Sequence, residues 1–77
     1  MIRYEPENKA AFLRKEWPFL HRPKMNDMVR CIHCWDEYKM KEYVTIIHPQ
    51  HGYMICCKNY PKCDGTAIDI HEIEKKP

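Results

Sequence analysis

The sequence predicts a small metal-stapled β fold, preceded by a short helix and an extended linker, and three observations carry that expectation. The chain has 77 residues, so it is one small domain that buries too little apolar surface to offset its conformational entropy comfortably. It contains five cysteines, four of them in two spaced pairs. Its second half is built of short β-branched and aromatic runs separated by turn residues.

The elements can be taken in order. Pro6-Glu7-Asn8-Lys9-Ala10-Ala11-Phe12-Leu13-Arg14-Lys15-Glu16 reads as a helix, with Pro and Glu suited to its first turn and Arg14 and Lys15 to its last. Trp17-Pro18 ends it. Ala10, Leu13 and Trp17 recur at helical spacing, so they form an apolar stripe expected to pack within this chain; the alternative user of that stripe is a protein partner. From Trp17 to Met28, Pro18 and Pro23 interrupt a mixed basic and apolar stretch, which reads as an extended linker. Residues 1–28 are thus helix and linker, 29–71 the metal-bound β unit, and 72–77 a frayed charged tail.

Within the β unit, Tyr43-Val44-Thr45-Ile46-Ile47 is a strand, and His48-Pro49-Gln50-His51-Gly52 is its turn. Tyr53-Met54-Ile55-Cys56-Cys57 is the second strand, a turn-rich loop follows, and Thr66-Ala67-Ile68-Asp69-Ile70 is the third. Together they predict a three-stranded antiparallel sheet.

Cys31-Ile32-His33-Cys34 places two thiolates on one tight turn, from which both sulfurs can reach a single tetrahedral ion at roughly 2.3 Å. Cys57 and Cys63 are separated by five residues, among them Asn59, Tyr60 and Pro61, and 22 residues lie between the pairs, enough for a hairpin that brings them together. The reading is one structural Zn²⁺ held by Cys31, Cys34, Cys57 and Cys63 in a zinc ribbon. Cys56 is surplus. Adjacent residues on a strand face opposite ways, so Cys56 turns to core or surface if Cys57 turns to metal, and a register with Cys56 as the ligand stays open. His33, His48 and His51 are chemically able to coordinate zinc but compete with four cysteines that already close a tetrahedron; His21 and His71 stand alone.

An odd number of cysteines and an N-terminus without the apolar core of a signal peptide point away from a secreted disulfide scaffold. No apolar run approaches membrane-spanning length. The expected setting is soluble and cytoplasmic, where thiols stay reduced. The formal charge is +2, and four thiolates around one Zn²⁺ would bring the loaded chain to neutrality. The cysteine half holds as many acidic as basic residues.

Gly52-Tyr53-Met54-Ile55-Cys56-Cys57-Lys58-Asn59-Tyr60-Pro61-Lys62-Cys63, with Cys31 and Cys34 upstream, resembles the C-terminal zinc ribbons of bacterial type I DNA topoisomerases over about residues 30–70. The resemblance implies that Cys31, Cys34, Cys57 and Cys63 bind zinc, and that aromatic and basic ribbon residues contact single-stranded DNA. Trp35 departs from that pattern, since a glycine commonly follows the second cysteine, and the hairpin between the pairs is longer than usual.

Four thiolates leave no open metal position, the chain has no serine, and its two glycines cannot cradle a phosphate. An enzyme, or a small-molecule substrate, is therefore not expected. Two functions are. In a module binding single-stranded DNA or RNA, Trp35, Tyr38, Tyr43, Tyr53 and Tyr60 offer stacking faces while Arg30, Lys39, Lys41, Lys58 and Lys62 contact phosphates. In an adaptor docking on transcription or replication machinery, the helix and ribbon edge meet a protein, and the aromatics are core.

Overall fold

The computed structural model describes residues 2–73. The β-branched run becomes strand β4 (Val44–His48), which pairs antiparallel with β5 (Gly52–Cys56) in a register that sets Ile46 against Met54 and Val44 against Cys56. Their three-residue turn closes because Gly52 takes φ 75°, a left-handed value that costs glycine nothing. Strand β1 (Ile2–Tyr4) pairs with the other edge of β4, placing Tyr4 opposite Thr45 and Ile2 opposite Ile47. The first sheet therefore runs β1-β4-β5.

A second sheet forms around the first cysteine pair. Strands β2 (Met28–Cys31) and β3 (Glu37–Lys39) make a hairpin, and β6 (Ile70–Glu72) joins the far side of β2, giving the order β3-β2-β6. The predicted single three-stranded sheet is thus two. Of the predicted third strand, Ala67–Asp69 is a 3₁₀ turn, closed by the Asp69 N–H on the Thr66 carbonyl (2.8 Å) and by the Thr66 N–H on Asp69 Oδ2 (3.1 Å). Only Ile70 of that run is in a strand.

Helix α1 (Lys9–Glu16) starts later than Pro6 because Asn8 caps it, its side chain accepting the Ala11 N–H at 3.0 Å. Its stripe serves this chain: Leu13 is buried in the main core with Val29, Tyr38, Met40, Tyr43, Ile55 and Ile70, and Phe12 and Trp17 pack on that cluster. Lys9 pins the helix in place. Its Nζ donates to the carbonyls of Lys41 (2.5 Å) and Tyr43 (2.6 Å) and lies 4.3 Å over the Tyr43 ring, while the Tyr43 hydroxyl donates to the Lys9 carbonyl (2.7 Å). Burial lowers the Lys9 pKa.

The segment between α1 and β2 has no regular structure but is packed. Pro23 is buried, the Trp17 indole N–H donates to the His21 carbonyl (2.8 Å), and the Met25 and Asp27 carbonyls accept from Lys41 and Met40. Residues 2–28 are built into the same two sheets and core as the rest. Of the predicted tail, Glu72 belongs to β6 and the Ile73 N–H donates to the Met28 carbonyl; residues 74–77 lie outside the described residues. Among the described residues no helix is long and apolar enough to cross a membrane.

Candidate metal centre

The two sheets meet at their cysteine ends. Cys31 closes β2 and Cys34 follows on the β2–β3 turn; that turn is shaped by the Trp35 N–H on the Cys31 carbonyl (2.7 Å) and the Cys31 N–H on the Asp36 carbonyl (3.1 Å). Cys57 follows β5. The chain beyond it is curled by the Tyr60 N–H on the Cys57 carbonyl (3.0 Å) and the Cys63 N–H on the Asn59 carbonyl (3.1 Å).

These turns bring all four sulfurs within 4.8 Å of one another. Cys31 Sγ lies 3.6 Å from Cys63 Sγ, and Cys34 Sγ lies 3.7 Å from Cys57 Sγ. A tetrahedral ion with metal–sulfur bonds of about 2.3 Å separates its ligands by about 3.8 Å, so the two closest pairs already stand at the edge length of such a tetrahedron. None of the five cysteines is in a disulfide. The predicted quartet is therefore assembled as a group able to hold a metal ion, with Cys31, Cys57 and Cys63 buried and Cys34 partly exposed.

Amide donors surround the sulfurs, as they do where thiolate charge must be offset. The Asn59 N–H points at Cys57 Sγ (3.5 Å), the Gly65 N–H at Cys63 Sγ (3.3 Å), and the Asn59 side-chain amide bridges Cys34 Sγ (3.6 Å) and Asp36 Oδ2 (2.5 Å). Without metal, the Asp36 backbone N–H holds the Cys34 thiol down to about 7. Burial pushes Cys63 up to about 12 and also raises Cys57. One sulfur is thus half ionised near neutrality, whereas Cys57 and Cys63 must lose protons to bind a metal. The buried Tyr38 hydroxyl makes no well-formed hydrogen bond, yet it acts on the Cys57 sulfur and lowers its pKa, while burial raises its own.

Gly65 is the residue that sequence reading passed over. A Cβ there would lie 2.6 Å from Cys31 Sγ and 3.3 Å from Cys63 Sγ, so only glycine lets the backbone approach the sulfurs. Its position two residues after Cys63 was the available signal. Asn59 and Asp36 were likewise missed as supports of the quartet.

His33 alone of the candidate histidines approaches the site, with Nδ1 3.5 Å from Cys63 Sγ; His48 and His51 sit at the β4–β5 turn, their rings 4.5 Å apart. Cys56 faces away from the quartet. It is buried with Val44 and Ile46, and burial pushes its thiol up to about 11.

The ten proposed nucleic-acid contacts divide. Tyr38 and Tyr43 are each only 2% exposed and belong to the core, which overturns their assignment as stacking faces. Tyr60 packs on Val44, Ile46 and Cys56, and Tyr53 meets Tyr4 at a tilt and Phe12 edge-on while staying 46% exposed. Arg30 is ion-paired with Glu37, and Lys58 Nζ is 3.8 Å from Glu42. Lys39, Lys41 and Lys62 are exposed. Trp35 is 66% exposed and sits in the left-handed region at φ 67°.

No family model matches this sequence, and neither a curated protein nor a solved structure matches it.

Proposed function

We propose that Cys31, Cys34, Cys57 and Cys63 hold one structural Zn²⁺, that the chain is a zinc ribbon elaborated by a second sheet and a helix, and that it binds single-stranded nucleic acid. The sulfur quartet supports the metal: four thiolates suit zinc, which tolerates a closed tetrahedral thiolate shell and needs no open position for a structural role. A closed shell gives the metal no substrate to activate, so its contribution is to the fold.

The nucleic-acid reading rests on Trp35. A non-glycine residue in the left-handed region costs about 1–2 kcal/mol, and here it carries a large aromatic side chain into solvent beside the first cysteine pair. Strain retained at an exposed aromatic is a signature of function. An indole so displayed is a stacking platform for an unpaired base, and the exposed Lys39, Lys41 and Lys62 are the cations left to meet phosphates. Titration of the zinc-loaded protein with single-stranded and duplex DNA at low salt tests this: Trp35 fluorescence is quenched by single strands, and the response is lost in Trp35→Ala. No binding of any strand at low salt would remove the reading.

One observation favours docking on a protein instead. Phe19 and Ile68, 46% and 65% exposed, line a cavity of about 320 Å³ with Trp17, Pro23 and Ile70. Protein docking would use this groove and not α1, whose apolar side is spent on the core.

A further inference from the structure

The first sheet has two faces, and only one packs on the helix. Strand register places Tyr4, Thr45, Tyr53 and Ile55 on the helix side, since Phe12 meets both Tyr4 (5.7 Å between ring centroids) and Tyr53 (5.4 Å). The opposite face carries Arg3, Val44, Ile46, His48, Met54 and Cys56. It is roofed in part by Tyr60 and Thr66 from the loop beyond Cys57, leaving a cleft of about 450 Å³ lined by Ile46, His48, His51, Met54, Cys56, Tyr60, Asp64 and Thr66. That volume is within the range of small-ligand sites.

Its polar groups have defined roles. His48 Nδ1 accepts the backbone N–H groups of Gln50 (3.0 Å) and His51 (3.3 Å), so the neutral ring carries its proton on Nε2 and presents a donor. The same tautomer argues against His48 as a metal ligand through Nε2. The Asp64 carboxylate has no hydrogen bond or ion pair among the described residues and is an acceptor. The floor is apolar, the partly exposed Met54 lying over the buried Ile46 and Cys56, and its thioether suits contact with an aromatic ring. Lys62, exposed and two residues from both Tyr60 and Asp64, complements a phosphodiester chain.

We propose that this cleft holds one unstacked adenine or cytosine of the single strand, the base lying on Met54 beside Tyr60. Asp64 accepts its exocyclic amino group, and His48 Nε2 donates to its ring nitrogen. Thymine and uracil present a carbonyl where Asp64 needs a donor. This rests on the single-strand reading above and adds the base class.

The test titrates zinc-loaded protein with ten-nucleotide strands of deoxyadenylate, deoxycytidylate and thymidylate at one low salt concentration, following the Met54 methyl resonance. Adenine and cytosine strands bind about tenfold tighter than thymine and shift Met54. Asp64→Asn, a change at an exposed side chain, abolishes that preference while the protein keeps one zinc per chain. Binding of all three strands with equal affinity, or a preference untouched by Asp64→Asn, overturns the cleft but leaves single-strand binding standing. Absence of binding to any strand overturns both.

Discussion

Gly65 stands so close to Cys31 that a β-carbon on it would lie 2.6 Å from the Cys31 sulfur. The second cysteine loop is therefore held against the first by a backbone approach that no side chain permits, and the carbonyl of Gly65 is tied to the Cys57 N–H at 2.9 Å in the same contact. Gly65→Ala is expected to splay the quartet and weaken zinc binding at least tenfold, measured by competition with a chromophoric chelator. Unchanged affinity would show that the quartet has slack which this packing denies.

The two adjacent cysteines are expected to differ sharply. Cys57→Ser removes a ligand and lowers zinc content and stability together, whereas Cys56→Ser keeps one zinc per chain and costs about 1–2 kcal/mol, from placing a hydroxyl among Val44 and Ile46. Metal analysis and denaturant unfolding of both variants check it. Full zinc in the Cys57 variant would assign the wrong thiol.

Trp35→Gly separates strain from structure. The left-handed backbone at φ 67° favours glycine, and the indole has little packing to lose, so the variant is expected to be more stable by about 0.5–1 kcal/mol. Its tight turn persists while single-strand binding falls. Loss of stability on urea unfolding would mean that the indole supports the fold.

Much of this organisation is readable in the amino-acid order, and the exceptions have physical causes. The β4–β5 hairpin announces itself through Val44-Thr45-Ile46-Ile47 and the glycine its turn requires, and the quartet through cysteine spacing. β1 is three residues long and gains its structure from pairing with β4, some forty positions away in sequence, so no local pattern reveals it. Thr66–Ile70 alternates like a strand, but the Asp69 carboxylate can cap Thr66 and turns the segment instead. Tyr38 and Tyr43 look like surface aromatics beside lysines. Tyr43 is core because α1 and its Lys9 cover it, and Tyr38 because it joins the same cluster beside Cys57, tertiary contacts invisible in composition.

The shifts of the thiols set the pH response. Cys57 and Cys63 are raised by burial, so each is protonated between pH 7 and 9 and must release its proton to a metal. Apparent zinc affinity is therefore expected to tighten steeply as pH rises over that range, because each ligand that enters as a thiol gives up its proton to the metal. Cys56, raised to about 11, runs the other way: as a neutral thiol it favours the fold below the unfolded value near 9 and loses that contribution as pH rises through 11. Chelator competition across this range and alkaline unfolding of Cys56→Ala measure the two effects.

The central claim is that one metal ion, held by four thiolates, joins the two sheets. The most direct measurement is metal content of the purified protein together with its near-ultraviolet circular dichroism before and after chelation. One zinc per chain, with the tertiary signal lost on chelation and restored by stoichiometric zinc, is the expected result. A protein that carries no metal and keeps its tertiary signal in excess chelator would contradict it.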